Sequence, residues 1–345
     1  MTPPLRPYLT RIAGGDELTR AEAAEVMGVL LRGEASPEET AGLLVGLASR
    51  GETVDELTGF AEAMRAYAVS VDCPDPDAVD LCGTGGDLSH TFNVSTAASF
   101  VVAGAGVTVA KHGNRSVSSL TGSADVLEAL GVQVGLGKAG VEFCLRETGL
   151  AFLFAPNFHP ALRHVMPVRR ALGVRTAFNL LGPLCNPAGV RRQLVGCFRD
   201  SAARKVAGIL AGLGTERALA VWAVDGLDEA SPADVTRMYP VDGSRTLHAT
   251  SIAPETFGLP RHSLEDIRGG SATDNAQIIR NVLDGRLGAP RDAVLMNAAL
   301  GLFVSGRYDD PADAFAAAAE SVDTGRAKAK LADLVAASQA APTMP

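Results

Sequence analysis

Aromatic side chains are scarce in this sequence: Phe, Trp and Tyr together make up 5% of it, with a single Trp. A core must therefore come from aliphatic and small side chains, which the 47% apolar content supplies. Long apolar runs are also missing. None approaches the roughly 20 residues that a membrane-crossing helix needs, so no span is expected. The stretch around Asp16 and Glu17 has no apolar h-region, so no secretory leader is expected. Cysteine is sparse: Cys73, Cys82, Cys144, Cys185 and Cys197 are odd in number and never spaced C-x-x-C. This predicts reduced, mostly buried thiols in a cytoplasmic protein rather than a disulfide framework. Positive charge is in deficit, 31 Lys and Arg against 39 Asp and Glu, which argues against broad binding to nucleic acid or anionic membrane. No internal repeat is present, and low complexity is confined to the Ala-rich tail.

What is there is enough chain, 345 residues, for a substantial core and two lobes. Residues 1 to about 70 read as helical, because three capping boxes follow one another: Thr19 with Glu22, Ser36 with Glu39, and Thr53 with Glu56. Pro37 suits a first helical position, and Gly33 and Gly51 suit helix ends. Residues 73–77, C-P-D-P-D, read as a linker. From residue 78 short strands alternate with helices: strands at 78–82, 107–110, 150–155, 193–198 and 218–224, and helices at 95–105, 123–130, 141–148, 160–172 and 201–213. Residues 231–262 resist assignment, with an antiparallel strand pair expected near 245–251. Helices are expected at 272–284, 291–305 and 311–338. The fold class is α/β: a small N-terminal helical lobe over 1–72, with a contribution from about 160–190, and a larger α/β lobe over 78–345 around a central, mainly parallel sheet.

Two loops stand out. Gly83-Thr84-Gly85-Gly86-Asp87 follows a strand, and Asn93-Val94-Ser95-Thr96 opens the next helix. Glycines let backbone amides approach an anion, and the helix start adds its dipole. The pattern matches neither the P-loop nor G-x-G-x-x-G in full. The second loop, Lys111-His112-Gly113-Asn114-Arg115-Ser116-Val117-Ser118-Ser119, also follows a strand and has one apolar member; Gly122-Ser123-Ala124-Asp125 closes it at a helix start. Two such loops at neighbouring strand ends predict a cradle for a phosphorylated sugar. Asp228-Glu229 lies just past a strand end and offers hard oxygen donors suited to Mg2+. Arg169 and Arg170 share a helix, and either of them, or Arg175, could meet a carboxylate. His159 and His164 have no partner at metal-ligand spacing and read as structural.

The motifs G-T-G-G-D, N-V-S-T, K-H-G-N-R-S-V-S-S and G-S-A-D-V-L-E-A-L-G resemble those of the anthranilate phosphoribosyltransferase family. The similarity extends through A-P-N-F-H-P-A at 155–161, V-R-R-A-L-G-V-R-T-A-F-N-L-L-G-P-L-C-N-P at 168–187, D-G-L-D-E at 225–229, G-G-S-A-T-D-N-A and R-D-A-V-L-M-N-A-A, which is essentially the whole chain. One departure is Leu120, where Lys can occur. The resemblance implies a nucleoside phosphorylase/phosphoribosyltransferase-like fold and transfer of phosphoribosyl from phosphoribosyl pyrophosphate to the amine of anthranilate. It implies a donor site lined by Gly83, Gly86, Asp87, Thr91, Asn93, Val94, Ser95, Thr96, the nine residues Lys111 through Ser119, and Ser123. It implies Mg2+ on Ser95, Asp228 and Glu229, and anthranilate beside Gly83, His112, Asn114 and Arg169. A homodimer formed through the helical lobe is the implied assembly.

No acid or base is assigned, since an aniline-type amine is nucleophilic when neutral; His112 could orient substrate or shuttle a proton. Three alternatives are set against this reading: a pyrimidine nucleoside phosphorylase, a paralogue with another aromatic acceptor, and a non-catalytic nucleic-acid binder. The first has a K-H-S-T-G-G-like loop where this chain has K-H-G-N-R, and the net charge of -8 opposes the last.

Overall fold

The computed structural model describes residues 4–87, 89–115 and 121–342. Four helices come first: α1 (Arg6–Ala13), α2 (Arg20–Leu31), α3 (Pro37–Arg50) and α4 (Val54–Ala66). The last three begin at the expected hydroxyls. Thr19, Ser36 and Thr53 each accept from the N–H of the Glu three residues on, and that Glu bonds back to the cap's own N–H. An N-cap of this kind stabilises its helix by about 1 kcal/mol.

The alternating region runs β1 (Val79–Gly83), α5 (Val94–Gly104), β2 (Val109–Gly113), α6 (Ser123–Leu130), α7 (Lys138–Thr148), β3 (Leu150–Phe154), α8 (Ala155–Phe158), α9 (Met166–Leu172), α10 (Phe178–Leu181), β4 (Arg192–Gly196), α11 (Asp200–Gly212) and β5 (Arg217–Ala223). The chain ends with β6 (Thr236–Asp242), β7 (Arg245–Thr246), β8 (Thr250–Ile252), α12 (Ala272–Leu283), α13 (Ala289–Val304), α14 (Pro311–Asp323) and α15 (Arg326–Ala340). The strands form one sheet in the order β3-β2-β1-β4-β5-β6-β7, with β8 also on β6. The strands β1 to β5 pair in parallel, and β6 returns antiparallel to β5. This is the expected mainly parallel α/β sheet beside a helical lobe.

Three expectations are corrected. The helix expected over 160–172 is a 3-10 turn, Pro160–His164, followed by α9, because Pro167 in the first turn of α9 cannot donate back across Val165. The single helix expected over 311–338 breaks at Gly325, which takes φ 76 between α14 and α15. Residues 245–251 do not pair with each other. Both β7 and β8 pair with β6, a strand hidden in the sequence by Pro240 at its centre.

The sheet separates two cores. Leu194, Leu219 and Val221 face a layer built on α5 and α12 to α15, while Val195, Ala218 and Ala220 face α11 and the N-terminal helices. Alternate residues of each strand point to opposite faces, which accounts for the split. Val165, Phe178, Leu181 and Cys185 join the second core, so the segment between β3 and β4 packs with helices α1 to α4.

Candidate active site

In the order β2-β1-β4-β5 the chain reverses direction of winding between β1 and β4, and crevices at such points collect ligands at the strand C-termini. β1 and β4 stay paired to their tips, Gly83 against Gly196. The β4 tip must be glycine here, and the β1 tip is crowded. A Cβ on Gly196 would overlap the Asp228 carbonyl oxygen, and one on Gly83 would come within 2.6 Å of Asp228 Oδ2. The loop after β5 thus lays Asp228 directly across the ends of β1 and β4. Gly85, at φ 66, turns its N–H onto Asp228 Oδ2 at 2.8 Å.

Glu229 lies at the start of α5. Its Oε1 accepts the Ser95 N–H at 2.9 Å, and its Oε2 has no partner. Burial pushes both carboxyls up; Asp87 raises Asp228 further, and Asp228, with Asp87 behind it, raises Glu229. Neither makes an ion pair among the described residues, so no cation in contact offsets that upward push. Lys111, buried at the same place, donates to the Leu81 carbonyl at 2.5 Å and lies 3.5 Å from Ser95 Oγ. Burial draws its pKa down, against the pull of Asp80 and Glu229.

Beside this crevice β1 and β2 share a single register pair, Val79 with Val109. Beyond it, side chains span the gap. The buried Asp80 takes the His112 N–H at 3.1 Å and the Asn186 amide at 2.8 Å, and Asn186 also bonds the Ala110 carbonyl at 2.8 Å. The two loops therefore leave the sheet apart from one another. Asn93 ties them together again further out, donating to the Thr121 carbonyl at 3.1 Å and accepting from Asn275 at 3.0 Å.

His112 is buried, its ring 5.2 Å from that of His159, and the Nε2 atoms of both lack partners. Burial holds His112 down to about 3, so the ring is neutral. The Gly182 backbone supports it, in the turn that follows α10. On α10, Phe178 lies under Arg169, 4.8 Å from ring centre to guanidinium. Arg169 is half-buried with no acidic partner among the described residues. Arg170 is exposed, and Arg175 instead donates to the Gly86 carbonyl at 2.6 Å and stacks on Phe198.

Gly83, Gly86, Asp87, Ser95, Lys111, Asp228 and Glu229 thus converge on one crevice, with His112 beside it. Others point elsewhere. Val94 is buried, and the Thr96 hydroxyl lies unpartnered in a small cavity with Phe100, Leu127 and Phe152. Thr91 bridges to Arg268. Gly113 and Ser123 meet at the loop's base, where Ser123 donates to the Asn114 carbonyl at 3.2 Å. Asn114 is exposed and caps the Arg115 N–H at 2.7 Å. Arg115 pairs with Asp125 at 2.7 Å and Glu128 at 2.6 Å. Ser116, Val117, Ser118 and Ser119 lie outside the described residues, as does Leu120. Sequence reasoning passed over Asp80 and Asn186 and set His159 aside; A-P-N-F-H-P-A carried His159 in plain view without showing its neighbour.

Among the described residues no three His, Cys, Asp or Glu side chains gather into a complete ligand cage. Two buried carboxylates with an unpartnered oxygen fit a cation that keeps water and substrate oxygens, as Mg2+ does.

Two family models match this chain, described as the helical bundle domain of a glycosyl transferase family, over residues 6–68, and its a/b domain, over residues 75–328. An anthranilate phosphoribosyltransferase of Salinibacter ruber is 55% identical over 337 residues, covering 96% of this chain and 98% of its own. The crystal structure of anthranilate phosphoribosyltransferase from Thermus thermophilus superposes with a TM-score of 0.90 at 41% identity, covering 96% of this chain and 99% of its own. The anthranilate phosphoribosyltransferase from Saccharomyces cerevisiae in complex with PRPP and Mg does so at 0.89 and 27% identity, over 97% of this chain and 98% of its own.

Proposed function

Since the chain belongs to the anthranilate phosphoribosyltransferase family, we propose that the crevice at the tips of β1, β4 and β5 receives the diphosphate of the donor and that the His112 side receives the acceptor. The reaction is transfer of the phosphoribosyl group of 5-phosphoribosyl 1-pyrophosphate to the amine of anthranilate, giving N-(5-phosphoribosyl)anthranilate and pyrophosphate, in tryptophan biosynthesis. The single observation that carries the assignment of the donor is the buried Asp228–Glu229 pair, with Glu229 Oε2 unpartnered at the start of α5.

Ser95, Asp228 and Glu229 would hold Mg2+; that a yeast relative is solved in complex with PRPP and Mg supports a metal here, not the choice of ligands. A Mg2+ held there would supply positive charge to the leaving diphosphate. The chain's own share is electrostatic and positional. Lys111 brings a buried ammonium to the same crevice, and the start of α5 adds its dipole. Displacement at the anomeric carbon passes through an oxocarbenium-like state, so stabilising the leaving group lowers the barrier directly.

On the acceptor side, the neutral His112 ring with His159 behind it forms an apolar-faced wall for an aromatic ring. Arg169, with no acidic partner among the described residues, suits the acceptor's carboxylate. The amine needs no assigned base. Free thiols at all five cysteines support a cytoplasmic protein, and the family resemblance supports a homodimer through the helical lobe. No helix among the described residues is long and apolar enough to cross a membrane.

Anthranilate fluorescence tests the donor assignment. Asp228→Ala should slow consumption at limiting Mg2+ by about 100-fold, the loss of roughly 3 kcal/mol of charge stabilisation. Full activity of that variant at limiting Mg2+ would refute the metal assignment. Phosphorolysis of thymidine without pyrophosphate release would instead favour a nucleoside phosphorylase.

A further inference from the structure

Asp228 and Glu229 sit in the connection 224–235, which has no helix or strand of its own. Side-chain and turn bonds brace its two ends. Ala223 N–H donates to the Leu227 carbonyl at 3.1 Å, and Leu227 N–H to Asp225 Oδ1 at 3.2 Å. Ser231 N–H donates to Thr236 Oγ1, and Ala233 N–H to Ser231 Oγ, both at 3.0 Å.

The residue between these braces is held from α13. Asn297 Oδ1 accepts the Ala230 N–H at 2.9 Å, and Asn297 Nδ2 donates to the Ala230 carbonyl at 2.9 Å. Two bonds to one residue's backbone fix its rotation as well as its position. Nδ2 also donates to the Ala293 carbonyl at 2.9 Å, one turn back, which fixes the Asn297 side chain itself. Asn297 is 2% exposed on a stretch of α13 that is otherwise apolar, with Val294, Leu295, Met296, Ala298 and Leu300 all buried. A buried amide is costly unless its polar atoms are bonded, and here they bond the residue that follows the acidic pair. Asn297 also borders the crevice formed by Ser95, Gly196, Asp228 and Glu229.

We propose that Asn297 is a positioning residue: by clamping Ala230 it aims the Asp228–Glu229 carboxylates at the start of α5. The inference rests on reading that pair as the Mg2+ site.

The test measures Mn2+ affinity in the presence of pyrophosphate by electron paramagnetic resonance, with KM for anthranilate and the melting temperature of the metal-free protein alongside. Asn297→Asp keeps the shape and the acceptor but puts a carboxylate against the Ala230 carbonyl; Asn297→Ala removes both bonds. Both variants should weaken Mn2+ binding by about 10-fold or more, the usual scale for an outer support of a metal ligand, with KM for anthranilate within about twofold. Unchanged Mn2+ affinity in a folded Asn297→Asp would overturn the inference. So would equal weakening of metal and anthranilate together with a lower melting temperature, the mark of a general structural role. Asp228→Ala separates the two layers of the reading. If it weakens Mn2+ binding and the Asn297 variants do not, the clamp alone fails; if it too leaves binding unchanged, the assignment of the metal site fails.

Discussion

His112 shows at one residue how burial decides chemistry. An exposed histidine would titrate near 6.5, yet burial holds this ring down to about 3. The sign of the consequence follows from proton counting. Below about 6.5 the unfolded chain binds a proton at this position that the folded chain refuses, so stability falls as pH falls through that window. By about pH 5 the cost is on the order of 2 kcal/mol. His112→Gln should therefore melt with a shallower acid dependence than the wild type between about pH 7 and 5; parallel curves would mean that the ring is not buried neutral. The carboxylate pair, the Lys-His loop and the glycine turn were legible in the sequence because each is contiguous. Asp80 was not. Its partners, His112 and Asn186, lie 32 and 106 residues away, and no local pattern announces such a bond. Arg169, Arg170 and Arg175 stood open in the sequence, since a helical wheel cannot say which guanidinium lacks an acid and which is spent on the Gly86 carbonyl.

At the scale of elements, the helix starts were readable because their caps are local chemistry, and the breaks were not. Gly325 in an Ala-rich tail and Pro167 near a helix start are each compatible with continuation until packing decides. β6 escaped notice because Pro240 argues against a strand, and short β7 and β8 are what cover its outer side. The junction of β4 with the loop after β5 makes the sharpest demand on sequence. Gly196→Ala places a methyl group into the Asp228 carbonyl, and backbone cannot yield as a flexible side chain can. A cost of about 3 kcal/mol or more is expected, seen as a lower melting temperature and loss of Mg2+-dependent turnover. Gly135→Ala, with nothing within 4 Å of the added atom, is the control and should change neither. Equal behaviour of the two variants would show that Asp228 does not lie across the β4 tip.

Across the whole molecule, the sheet places one core against α5 and α12 to α15 and the other against α11 and the N-terminal helices, and the crevice opens where both end. The two glycine- and lysine-bearing loops belong to β1 and β2, the acidic pair follows β5, the Asn297 contact to Ala230 comes from α13, and His159 and Arg169 come from the segment between β3 and β4. Five stretches of chain thus meet at the C-terminal edge of one parallel sheet, which is why the reaction's parts are scattered in sequence and adjacent in space. The most direct measurement is a crystal grown with phosphoribosyl pyrophosphate and Mn2+ in place of Mg2+, read by anomalous scattering. The account predicts a peak within metal–oxygen bonding distance of the Asp228–Glu229 pair and beside the diphosphate. A diphosphate and metal seated elsewhere, with both carboxylates uncoordinated, would contradict it.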